Sequence, residues 1–285
     1  MKIVAFVDHS IYADSVCDHA VWLSSGGKSS IDIVHVINPY DMNVVRAGYA
    51  GLVGAAPSVV GNVARRTSEQ VAELREAGQR LVDRMTERAS ASTGAIVVGR
   101  VAVGEWHDII ADIDQAYDVV VIGKRGEGAD FVRSELGTTL DQLVRAIDGP
   151  ALVVPRTYRR IDNWLVAFSP SRDVADGVER VARDQLLPQI PCTLLHAGVP
   201  DGDVLTAMQA ASRQLTDAGY NVSLDTSPGP LVKTFATRIV KDEFGLLAMG
   251  GFHDNLFASF LPALFGEGTA NELTRACLTP VLVLR

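Results

Sequence analysis

The order of apolar runs in this chain repeats, and that repeat limits the available folds more than any single motif. Lys2 to Val7 (KIVAFV) reads as a buried strand, and Trp164 to Phe168 (WLVAF) answers it. A helix from about Tyr12 to Ser24 follows the first, with Ala13, Val16, Cys17, Ala20 and Leu23 on one face. Val174 to Leu187 follows the second. Ile31 to Ile37 (IDIVHVI) is matched by Cys192 to Ala197 (CTLLHA), with His35 and His196 in the same place. The first copy continues with a long helix over Arg65 to Ala89, a strand over Ala95 to Val101, a short helix over Glu105 to Ala116 and a strand over Val119 to Ile122. The second continues with a helix over Val204 to Ala218, a strand over Val222 to Thr226, a helix over Leu231 to Lys241 and a strand over Leu246 to Met249. Helical patterns at Leu140, Leu143, Val144 and Ile147, and at Asn271 to Cys277, lead into the closing strands Pro150 to Pro155 (PALVVP) and Pro280 to Leu284 (PVLVL).

Strands alternating with helices of this length predict an α/β fold: two tandem doubly wound parallel five-stranded sheets flanked by helices, Rossmann-like in their winding. The polar break Thr157 to Asp162 (TYRRID) sets the boundary, giving domains at 1–156 and 163–285. The closing strands are short, Val/Leu-rich and last in their copies, which places each at a sheet edge. Pairing the two edges removes an aggregation hazard, and a proline at the start of each costs the ladder least. The expectation is intramolecular pairing of the halves about a pseudo-twofold axis.

Charge narrows the partners. A net charge of −8 argues against nucleic acid or an anionic membrane as a general partner, because phosphate surfaces demand basic patches. No apolar run reaches the length of a membrane span, and MKIVAFVDHS is a strand and turn rather than a signal peptide, so a cytoplasmic protein is expected. Cys17, Cys192 and Cys277 are far apart with no CxxC, and read as small buried hydrophobes. No nucleophile–base pair, metal cluster or Gly-x-Ser-x-Gly elbow stands out, so the chain offers binding groups without an evident catalyst.

Those binding groups gather after Asp118. Val119 to Ile122 run straight into Gly123 and Gly126, where a chain leaving a strand calls for positive φ or close backbone approach. Gly137, Thr138 and Thr139 stand at the start of the next helical pattern, where free N–H groups and a positive dipole end suit a phosphate. Glycines after strands and threonines at N-caps also occur in most α/β proteins without any ligand. Neither GxxxxGK[ST] nor GxGxxG is present. In doubly wound sheets ligands settle beyond the strand carboxyl ends at the switch in strand order, where Asp8, Val36 and the 123–139 loop all fall.

Together these residues make the chain resemble a tandem universal stress protein over nearly all its length. Nucleotide-binding members of that family carry G-x2-G-x9-G-[ST], an aspartate after the first strand and a valine after the second whose backbone faces adenine. Here Gly123-Lys124-Arg125-Gly126 is followed by ten residues rather than nine before Gly137-Thr138; Asp8 matches the aspartate and Val36 the valine. The resemblance implies an adenine nucleotide (ATP, ADP or AMP, with or without Mg2+) on Asp8, Val36, Gly123, Gly126, Gly137, Thr138 and Thr139. It also implies a stress-response or regulatory role, with the homodimer as a further assembly. Lys124 and Arg125 read as exposed loop cations.

The second copy departs from this pattern. Ser169 stands in the place of Asp8, His253 replaces the second loop glycine, and Gly266-Glu267-Gly268-Thr269 comes twelve residues later. The intervening Phe252, Leu256, Phe257, Phe260, Leu261, Leu264 and Phe265 are strongly apolar, so this copy is expected to have lost nucleotide binding. Two other readings stand beside the lead: a nucleotide-free interaction scaffold using the Gly/Ala/Val-rich segment Asn38 to Asn62, and a slow ATPase. His35 and His196 recur at equal positions, which favours a structural role.

Overall fold

The computed structural model describes residues 1–26, 28–38, 57–113, 117–124, 147, 149–250 and 278–284, with backbone alone at 57–67, 107 and 113. In the first half, β1 (Lys2–Phe6) leads to α1 (Ala13–Ser24), β2 (Ser30–Ile37), α2 (Pro57–Ser90), β3 (Ile96–Val103), α3 (Trp106–Ile113), β4 (Val119–Gly123) and β5 (Ala151–Val154). In the second, β6 (Trp164–Ala167) leads to α4 (Arg172–Asp184), β7 (Cys192–Ala197), α5 (Gly202–Asp217), β8 (Val222–Ser227), α6 (Leu231–Lys241), β9 (Leu246–Gly250) and β10 (Val281–Leu284).

The apolar runs form the middle of one sheet. Strands β4, β5, β6, β9 and β10 are buried at every residue, which is why they read as continuous Val/Leu/Ile runs and not as alternations. Successive side chains still divide between two faces. Ile3, Ala5 and Val7 join a core with residues of α1, α2, α4 and α5, while Val4 and Phe6 join one with α3 and α6.

Strand order is β3-β2-β1-β4-β5-β10-β9-β6-β7-β8 in a single ten-stranded sheet. All neighbours are parallel except β5 and β10, which pair antiparallel with Val281 opposite Val153 and Leu282 opposite Leu152. The two five-stranded sheets thus meet through their closing strands. Strand order reverses between β1 and β4 in the first half and between β6 and β9 in the second. Because β5 and β10 run in opposite directions, the two switch points open at opposite ends of the sheet.

Several boundaries differ from the sequence reading. Helix α2 begins at Pro57 rather than near Arg65, so residues 57–62 are helical. Proline at a helix's first position has its φ pre-set and lacks only an N–H that would be orphaned anyway. Strand β3 runs to Val103 because Ile37, the last residue of β2, pairs with it. Residues 39–56, and the helical patterns expected over 140–146 and 271–277, lie outside the described residues. Ile147 is buried.

Helix α4 touches the seam closely. A Cβ on Gly177 would overlap Cβ of Leu284 on β10. An exposed helical glycine gains about 1 kcal/mol on replacement by alanine. Gly177→Ala should instead destabilise by about 2 kcal/mol through overpacking, read from the urea unfolding midpoint.

Candidate functional site

The crevice past β1 is built by the strand ends. Val7 N–H donates to Val34 O at 2.9 Å, and the chain then leaves the ladder at Asp8. The Asp8 carboxylate accepts from the Ser10 N–H at 3.1 Å and from the Ser10 hydroxyl, whose oxygen accepts from Tyr12 N–H at 3.2 Å. This turn holds Asp8, half-buried, at the N-terminus of α1, where the helix dipole favours negative charge. His35 is buried and directs Nδ1 to Val7 O at 2.9 Å; a carbonyl only accepts, so Nδ1 carries the proton. The ring of His9 stands edge-on to it at 5.3 Å.

Val36 is aimed by strand alternation. Val34 O faces β1 and Ile37 O faces β3, where Gly104 N–H meets it at 3.0 Å. The N–H and C=O of Val36 therefore face β1's side of the sheet, beyond the last ladder residue of β1. With β2, β1 and β4 adjacent, Val36 and Gly123 flank the end of β1 across roughly 10 Å. Three of the residues singled out in the sequence, Asp8, Val36 and Gly123, are brought together here. The other four, Gly126, Gly137, Thr138 and Thr139, lie outside the described residues.

At this place one expectation is narrowed and another fails. Of the positive φ or close backbone approach expected at Gly123, the first is absent: Gly123 is the last residue of β4, buried and paired with Val154. The ladder runs on past it, Lys124 N–H donating to Val154 O at 2.9 Å, and so holds the glycine extended. Lys124 is not an exposed loop cation. Its side chain is 4% exposed and Nζ donates to Thr279 O at 2.9 Å. The continued ladder carries this side chain toward the seam instead of into solvent. No local pattern marks such a role, since the acceptor lies 155 residues away.

The second half repeats the frame without the charge. His196 Nδ1 faces Phe168 O at 3.2 Å, the same contact as His35 with Val7, and each spans 28 residues. Ser169 donates to the Ser171 hydroxyl at 3.0 Å, and Ser171 accepts from Val174 N–H at 3.4 Å to cap α4. The Asp8 turn is thus rebuilt with a neutral hydroxyl. His253, residues 252–265 and the glycines at 266 and 268 lie outside the described residues. Elsewhere, burial pushes the Cys17 thiol up to about 12 and the Cys192 thiol higher still, so both stay protonated and inert. Among the described residues, no group of His, Cys, Asp and Glu could hold a metal ion.

Comparison with known proteins follows the same outline. A profile of the universal stress protein family matches residues 1–155. A universal stress protein from a Synechocystis strain is 23% identical over 295 residues, covering 100% of this chain and 99% of its own. Among solved structures, a universal stress protein from Archaeoglobus fulgidus aligns with a TM-score of 0.59 at 15% identity, over 100% of this chain and 96% of that one. A protein of unknown function from Pseudomonas aeruginosa aligns with a TM-score of 0.54 at 14% identity, over 99% and 92%. At such identities the structural likeness speaks for the fold.

Proposed function

This chain belongs to the universal stress protein family, and from that premise we propose that its first half, residues 1–156, binds an adenine nucleotide without turning it over. The observation that carries the reading is the pair of Val36 backbone groups aimed past the end of β1, beside the Asp8 carboxylate, at a switch in strand order. Val36 N–H and C=O suit the donor and acceptor edge of adenine. Asp8 suits the ribose hydroxyls or the same edge. The amides of Gly126, Gly137, Thr138 and Thr139 take the phosphates, with Gly123 fixing the root of that loop. The bound nucleotide supplies occupancy and phosphate number as a signal, in a stress-response or regulatory role. The second half, residues 163–285, is proposed not to bind nucleotide, because Ser169 brings no charge to the turn that Asp8 occupies. No described helix is long and apolar enough to cross a membrane.

Titration calorimetry with ATP tests this. Gly126→Val combined with Gly137→Val puts side chains where backbone approach is needed, and affinity should fall by more than tenfold, about 1.4 kcal/mol. His253→Ala, in the second half, should leave affinity unchanged. Undiminished binding in the double glycine variant sinks the proposal, as does failure of the wild-type chain to bind ATP, ADP or AMP. Release of phosphate from labelled ATP on prolonged incubation would favour the ATPase reading instead.

A further inference from the structure

We infer that Lys124 is a positioning residue that ties the candidate site to the seam between the halves. It directly follows Gly123, at the carboxyl end of the strand that walls one side of the switch crevice. Its N–H donates to Val154 O of β5, and its ammonium reaches past β5 to Thr279 O, in the turn that leads into β10. One residue therefore joins β4, β5 and the start of β10. An ammonium withdrawn from water to 4% exposure needs protein dipoles in place of its hydration, so the Thr279 carbonyl is part of what allows Lys124 to stay charged there. The second copy has no such arm, because the sequence carries Gly251 after Gly250 at the corresponding strand end.

In one respect the inference rests on the nucleotide reading. A phosphate bound beyond β1 and β4 competes with the carbonyl for the ammonium, and a contact between two charges outweighs one between a charge and a dipole. If Nζ turns toward the phosphate, Thr279 O loses this donor and the turn before β10 loosens. Site occupancy and seam strength then draw on the same amine, and the coupling is reciprocal.

Hydrogen exchange on the full chain tests both parts. Without nucleotide, Lys124→Met should speed exchange of the Val281–Leu284 amides at least fivefold while leaving Cys192–Ala197 unchanged. Lys124→Arg, which keeps a donor, should stay within twofold of wild type. Equal rates in wild type and Lys124→Met overturn the positioning role. With saturating ATP, verified by calorimetry, exchange at Val281–Leu284 of the wild type should rise at least threefold, and this response should vanish in Lys124→Met although ATP still binds. Bound ATP that leaves those wild-type amides unmoved overturns the coupling, and needs no variant to show it. If the wild type binds no ATP, it is the nucleotide reading that falls, and the nucleotide-free comparison alone decides the role of Lys124.

Discussion

Val281→Lys should destabilise the chain by roughly 5 kcal/mol, enough to open the seam or unfold the molecule. Val281 and Val153 are 1% and 2% exposed and face each other across the antiparallel β5–β10 pair. Both belong to the apolar core shared with Ile239 and Leu247. A lysine there must either lose its proton or drag water into the sheet. A cleft of about 490 Å3 beside Pro280 is lined by Arg159, Arg160 and Glu243, so an ammonium reaching into it meets two like charges and one opposite charge. Urea unfolding should show a collapsed midpoint or a separate early transition, and scattering should show either an extended particle or aggregates. Val281→Ile, which adds one methylene and no charge, should cost about 1 kcal/mol. A lysine variant that unfolds within 1 kcal/mol of wild type would mean the seam is not a stabilising interface.

His19 should make stability fall as pH drops from 6.5 to 4, by about 3 kcal/mol in total. It lies in the middle of α1 at 0% exposure, with Nδ1 against Ser15 O at 2.7 Å, the Ser15 hydroxyl at 3.3 Å and the Tyr158 ring edge-on at 4.9 Å. Nε2 is buried with no hydrogen-bond partner among the described residues. Burial holds the pKa down at about 4; the backbone contact with Ser15 and the charge of Asp18 pull it up, and the charge of Lys124 pushes it down. Above pH 6.5 the ring is neutral in both folded and unfolded chains and contributes no pH dependence. Between 6.5 and 4 only the unfolded chain takes up the proton, so folding loses ground until the native ring titrates as well. His19→Phe keeps a ring against Tyr158 and removes the titration. The stability difference between wild type and variant should therefore shift by about 3 kcal/mol, against the wild type, between pH 7 and pH 4. Parallel stability curves for the two proteins over that range would remove His19 from the acid response.

What was legible in the sequence is what local periodicity encodes. Leu231 to Lys241 and Cys192 to Ala197 form the expected helix and strand to the residue, because a 3.6-residue or continuous apolar pattern specifies its own backbone. The meeting of the closing strands was also readable, since an apolar edge strand that starts with proline must be covered. The repeat of His35 and His196 favoured a structural role, and the fold gives both rings the same contact with the preceding strand end. Asp8 and Val36 fell at the crevice because doubly wound sheets always expose their strand ends at the switch point.

Tertiary structure fixed the register of the seam, Val281 opposite Val153, and with it how the two crevices sit at opposite ends of one sheet. It also decided that Gly123 is extended, that His19 is sealed under Tyr158 and that Lys124 is buried. Each of these depends on a partner distant in the chain. For Lys124 that partner is a backbone carbonyl, which every residue carries, so nothing in the sequence around Thr279 distinguishes it as an acceptor until the fold brings it within 2.9 Å of the ammonium.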